Sequence, residues 1–151
     1  MTRVNCIPVE HLSNKHLVAE WHEMPRVVTM VEKQIANEGQ IKIPPNTYRM
    51  GTGHMQFFAD KLGYVSWRML RIRNEMKLRG YDARPYVLDR LKSRIQSLPK
   101  YLNNQWYPDA YDMETNLIRL QKRDPEHYNG MNVKSFLKIP TNPFFTPSVG
   151  T

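Results

Sequence analysis

The chain has 151 residues, with 22 lysines and arginines against 14 aspartates and glutamates and a formal charge of +8 at pH 7. That length predicts one domain with a real core, and the charge surplus fits a protein that meets a polyanion, either nucleic acid or an acidic membrane surface. No apolar run approaches the ~18–20 residues of a membrane-spanning helix, no signal-peptide pattern opens the chain, and the single cysteine, Cys6, excludes an internal disulfide and a cysteine-rich zinc site.

In chain order, the first feature is Thr2, small enough to let the initiator methionine be removed and a threonine α-amine be exposed. Such an amine has a pKa of ~7.7–8.0, so a substantial fraction is uncharged and nucleophilic near neutral pH. From Leu17 to Ile35 the residues Leu17, Trp21, Met24, Val28, Val31 and Ile35 recur at steps of four and three, the stripe of a long amphipathic helix. Ser13 or Asn14 can cap its start and Asn37-Glu38-Gly39 its end. Pro25 falls inside it and predicts a kink beside Glu23, because proline cannot donate to the Trp21 carbonyl. A loop around Pro44-Pro45-Asn46 leads to Gly51-Thr52-Gly53, and the stripe Phe58, Leu62, Val65, Met69, Ile72 and Met76 predicts a second long helix over about 54–79.

Two shorter helices are expected over Val87 to Leu98 and Ala110 to Lys122. No strand alternation of useful length and no internal repeat occurs. The fold expected is therefore all-α, a compact domain over 1–138 with two long and two shorter helices. The segment 139–151, with Pro140, Pro143 and Pro147, is expected as an extended tail.

His16, Glu20 and Glu23 stand at i, i+4 and i+7 and share a helix face beside the core stripe, which is either a solvated polar face or a site. The basic residues Lys61, Arg68, Arg71, Arg73, Lys77 and Arg79 crowd the second helix, as a solvated face or a phosphate track, and Arg119, Lys122 and Arg123 form another basic group. There is no phosphate-binding glycine loop of the Walker type, His22-Glu23 lacks the second histidine of a zinc protease helix, and Asp60 and Asp89 show no ligand spacing. No metal and no cofactor are expected.

Taken together, Thr2-Arg3, then His16, Glu20, Glu23, Pro25 and Arg26, then Gly51-Thr52-Gly53-His54-Met55-Gln56-Phe57-Phe58-Ala59-Asp60-Lys61-Leu62 and Arg79-Gly80-Tyr81 resemble the phage-type pyrimidine-dimer DNA glycosylase/AP lyases, the phage endonuclease V family. Weaker likeness continues through Tyr107-Pro108, Leu117 to Arg123 and Tyr128 with Gly130. The resemblance implies a DNA repair enzyme that excises ultraviolet-induced pyrimidine dimers and nicks the abasic strand, with Thr2 as nucleophile and Glu23 as charge stabiliser and base. A carboxylate suits both tasks, since the sugar becomes cationic as the base leaves and an iminium then makes the 2′ hydrogen acidic. The residues expected to meet DNA are Arg3, His16, His22, Arg26, Lys61, Arg119, Arg123 and Tyr128.

Four positions depart from the phage-type pattern: Lys15 stands for glutamine, Trp21 for tyrosine, His22 for arginine and His127 for tryptophan. They leave lesion choice open. A related glycosylase/lyase for another base lesion and a non-catalytic basic DNA-binding protein on the same scaffold therefore stay as alternatives. The expected partner is double-stranded DNA with photoproducts or abasic sites, not a membrane. The expected state is a monomer, soluble and cytoplasmic or nucleoid-associated, of phage or bacterial origin.

Overall fold

The computed structural model describes residues 3–137; Thr2 and the proline-rich stretch 139–151 lie outside the described residues. Among the described residues the chain is all-helical, and the first periodic stretch is divided into α1 (Asn14–Glu23) and α2 (Pro25–Glu38). Ser13 caps α1 by accepting the His16 N–H, and Gly39 ends α2 at φ 74°, a left-handed conformation that glycine adopts without steric penalty. Pro25 has no N–H for the Trp21 carbonyl, so the hydrogen-bond ladder is interrupted there, as the sequence predicts. The core stripe continues across the break, with Leu17, Trp21, Met24, Val28 and Val31 all buried. Glu23 is thereby placed as the last residue of α1, at the interruption.

The second stretch, expected as one helix, is α3 (His54–Phe57) followed by a turn and α4 (Leu62–Leu78). Lys61 leaves the helical region at φ −127° and ψ 44°. The groups freed by the turn find partners in a distant loop: Asn104 Nδ2 donates to the Asp60 carbonyl at 2.9 Å, and the Asn104 carbonyl accepts the Tyr64 N–H at 3.1 Å. Periodicity could not reveal this break, because Phe58 and Leu62 are buried on either side of it. Gly63 permits the approach, since a Cβ there would lie 2.9 Å from the Asn104 carbonyl oxygen.

The two shorter helices are α5 (Pro85–Gln96) and α6 (Ala110–Arg123). The single-turn helices α7 (Pro125–Tyr128) and α8 (Val133–Phe136) follow, each too short to show a period. Asp109 and Asp112 close a reciprocal capping box at the start of α6. α4 is the central element, packed against α1, α5 and the 3-10 turn Val9–His11, while α2 packs on α5 and α6 on α7 and α8. Its basic face is not uniformly solvated. Arg68 is buried, and Arg79 pairs with Glu75 and donates to the carbonyls of Val9, Glu10 and Leu12. Among the described residues no helix is long and apolar enough to cross a membrane.

Gly63→Ala forces the Asn103-Asn104 loop away from α4, because the added methyl would meet backbone at 2.9 Å. Overpacking of this kind destabilises by ~1–3 kcal/mol. A lowered urea midpoint with an unchanged m-value is the expected result.

Candidate active site

Residues 3–8 enter the helical domain without forming a helix or a strand, with a bend at Ile7. A buried backbone without a sheet partner must still satisfy its N–H and C=O groups. Here side chains do so. The Val4 N–H donates to His54 Nε2 at 2.8 Å, and Tyr48 donates its hydroxyl to the Val4 carbonyl at 3.0 Å. Tyr64 donates to the Asn5 carbonyl, and Asn116 Oδ1 accepts both the Cys6 and Ile7 N–H groups, at 2.7 and 3.1 Å. Asn116 Nδ2 in turn donates to Asn5 Oδ1, whose amide donates to Glu20 Oε1 at 2.8 Å. His54 Nδ1 lies 2.8 Å from the Arg49 carbonyl, so the proton sits on Nδ1 and leaves Nε2 to accept.

The same network holds a buried ion pair. Arg68 donates from Nε and Nη2 to the two Glu20 oxygens at 2.9 and 3.3 Å, and from Nη1 to the Ile7 carbonyl at 2.6 Å. Burial by itself would lower the pKa of the guanidinium, but the facing Glu20 carboxylate outweighs it and raises the value above that of a free arginine. Glu20, one turn from Glu23, is therefore a structural carboxylate whose charge is paired with Arg68.

Beside this pair opens a cleft of about 380 Å³ lined by Arg3, Asn5, Lys15, His16, Ala19, Glu20, Glu23, Arg119, Leu120 and Arg123. Its charge is predominantly positive. Partial burial, together with the nearby charges of Arg119 and Arg123, lowers the pKa of Arg3, and Glu23 opposes that shift. Burial also lowers the pKa of His16, with Asp124 opposing and Lys15, His127 and Arg3 adding to the shift. Arg119 Nε is buried and has no hydrogen-bond partner among the described residues. A buried donor without an acceptor is unfavourable by about 1–3 kcal/mol.

The structure thus brings Arg3, His16, Glu23, Arg119 and Arg123 to one cleft from three separate parts of the chain. It does not bring the other expected residues there. His22 is exposed outside the cleft lining, and Arg26 lines a shallow depression with Thr29, Met30, Lys33 and Gln34. Lys61 is engaged with Asp60, the Phe57 carbonyl and the Phe57 ring. Tyr128 is fully buried; its hydroxyl accepts the Ser13 N–H and hydrogen-bonds His16 Nδ1 at 2.8 Å, so it reaches the cleft through His16. Sequence reasoning missed the supporting set of Tyr48, His54, Arg68 and Asn116. Only His54 carried a signal, the Gly53-His54 word, and it pointed to a helix start.

A family model described as pyrimidine dimer DNA glycosylase matches residues 1–89. That span contains the N-terminal segment, α1 to α4 and both carboxylates of the α1 face. Arg119 and Arg123 lie beyond it.

Two outcomes follow from this geometry. Glu20→Gln leaves Arg68 charged and buried without its counterion, a change that destabilises by ~3–5 kcal/mol, whereas Glu23→Gln at the open cleft shifts stability by less than ~0.5 kcal/mol. Urea unfolding of the two variants checks the contrast. The pH dependence comes from His16 and His54, both lowered chiefly by burial. The unfolded chain takes up protons as pH falls below ~6.5, while the native rings remain neutral until their lower folded values are passed. Stability is therefore full above that pH, falls with pH through the folded values and then levels off. Unfolding free energies measured between neutral and mildly acidic pH should show this slope, reduced in His54→Gln.

Proposed function

The chain belongs to the pyrimidine dimer DNA glycosylase family and is a DNA repair glycosylase acting on DNA; from that premise we propose that it excises ultraviolet-induced pyrimidine dimers and nicks the abasic strand through an imine with the Thr2 amine. The observation that carries this reading is the cleft in which Glu23 shares the walls with Arg3, the residue bonded to Thr2. The uncharged amine attacks C1′ as the glycosidic bond breaks and its electron pair leaves with the base. Glu23 stabilises the positive charge that develops on the sugar. The attached nitrogen loses a proton and its electron pair displaces O4′ from C1′, O4′ takes up a proton as the ring opens, and the resulting positively charged iminium acidifies the 2′ hydrogen.

Glu23 then removes that proton, the C3′–O bond breaks and the 3′ phosphate departs with the electron pair. Water hydrolyses the imine and frees the amine. Arg3, Arg119 and Arg123, which line the cleft together, hold phosphates of the damaged strand. His16 lines the same cleft, while His22, Arg26 and Lys61 meet the duplex from outside it. The protein acts as a monomer on duplex DNA carrying photoproducts or abasic sites.

One observation favours a second reading of lesion choice. Lys15, where the phage-type pattern has glutamine, lines the cleft and adds a cation beside the lesion. A related glycosylase/lyase with a shifted preference is therefore the variant reading, and a panel of base lesions distinguishes the two.

Glu23→Gln keeps the size of the side chain and removes its charge and basicity. It should bind dimer-containing duplex as tightly as the parent while excision falls by ~10²-fold or more, as expected when a charge stabiliser and base is lost. Acetylation of the Thr2 amine should abolish both base release and covalent trapping by borohydride, and chelators should leave the reaction unchanged. Near-normal excision by Glu23→Gln would overturn the assignment, and a parent protein that binds damaged DNA yet never traps would mark a non-catalytic binder.

A further inference from the structure

We propose that the protein carries a second nucleic-acid site, a pocket for one unpaired nucleotide whose base stacks on tryptophan and tyrosine rings and whose phosphate sits at Arg71. A cavity of about 550 Å³ lies between α4 and the segment that precedes α6, and it shares no lining residue with the Glu23 cleft. That volume falls within the ~300–1,000 Å³ of small-ligand sites. The buried ion pair separates the two spaces: Arg68 lines the larger cavity and Glu20 the catalytic cleft.

The walls carry the chemistry. Trp67 and Tyr107 line the cavity and remain 48% and 83% exposed, while Trp106 contributes a third ring and is held in the core against Tyr48 and Tyr64. Gly63 lets this wall close on α4, as described above. Arg71 places its guanidinium 5.6 Å from the centroid of the Trp67 ring, and neither aspartate nor glutamate lines the cavity. Arg68 already donates to Glu20 and Ile7, so Arg71 is the cation available to an incoming anion. An apolar ligand would have no use for that cation, and an acidic peptide would have no use for the rings.

A nucleotide uses both. Aromatic faces with an arginine beside them are how unstacked bases and their phosphates are held, and the π faces of paired bases are covered by stacking in a duplex. The ligand is therefore a single-stranded nucleotide, at an end, a gap or an opened strand. The site does not depend on the chemistry assigned to Thr2 and Glu23.

The test is tryptophan fluorescence of the full chain titrated with an undamaged single strand of four thymidylates, with thymidine and inorganic phosphate as separate probes. Saturable quenching is expected with the oligonucleotide, and weaker binding with either fragment alone. Trp67→Ala should weaken oligonucleotide binding about tenfold or more, the range of a lost base–aromatic stack, with Tyr107→Ala as a second variant. Arg71→Ala should weaken it and lower the log–log salt slope by about 0.7, the share of one phosphate on a single strand. All three side chains are exposed, and excision of a lesion duplex should be unchanged in each variant. Unchanged oligonucleotide affinity in Trp67→Ala and Arg71→Ala would overturn the proposal. So would binding lost only in Arg3→Ala or Arg123→Ala, which would place the strand in the Glu23 cleft. A cavity that responds to a proline-rich peptide or an apolar probe but not to the oligonucleotide would overturn it as well.

Discussion

A segment that forms neither helix nor strand is an unusual occupant of a helical core, and the rest of the structure is arranged around its backbone groups. Residues 4–7 present peptide groups that would otherwise be buried and unpaired, each such group being unfavourable by about 1–3 kcal/mol. The answer comes from side chains on four different elements or loops: Tyr48, His54, Tyr64 with Arg68, and Asn116. Because these partners come from widely separated parts of the chain, the segment is fixed only when the whole domain is folded. Its position is a property of the tertiary structure rather than of the segment itself.

The arrangement explains why two glutamates one turn apart have different fates. Glu20 faces inward, where a carboxylate is tolerated only with a charged, hydrogen-bonded partner, and Arg68 with Asn5 supplies that. Glu23 is three residues further on, at the end of α1, where the missing N–H of Pro25 interrupts the helix and the side chain borders the cleft. One carboxylate is committed to holding the N-terminal segment, and the other makes no ion pair among the described residues. A helix that continued unbroken would keep both on one face but would not end its first part at Glu23.

Much of the fold was legible because burial follows helical periodicity: every residue of the second stripe, from Phe58 before the turn to Met76 in α4, is buried. The breaks were less legible. Pro25 announced its own interruption, whereas the turn at 58–61 depends on Asn104, a partner no local pattern indicates. At the cleft, the i, i+4, i+7 spacing of His16, Glu20 and Glu23 identified a shared face but could not say which carboxylate faced an arginine. Arg68 illustrates the limit, since in sequence it is one basic residue among several on a charged helix, and only packing distinguishes it. Tyr128, expected to meet DNA, is buried, and its hydroxyl joins Ser13 to His16.

The positive charges of the cleft complete the physical account. Arg3, Arg119 and Arg123 lie close enough that the last two lower the pKa of the first, which means that they repel one another in the free protein. Burial adds to the same shift, and a single carboxylate, Glu23, opposes it. Such a cluster is unfavourable until an anion enters, and it becomes favourable when phosphates do, because the donors then acquire acceptors and the repulsion is relieved together. The internal charge pair of Glu20 and Arg68 supports the fold, and the cluster beside it keeps a net positive charge.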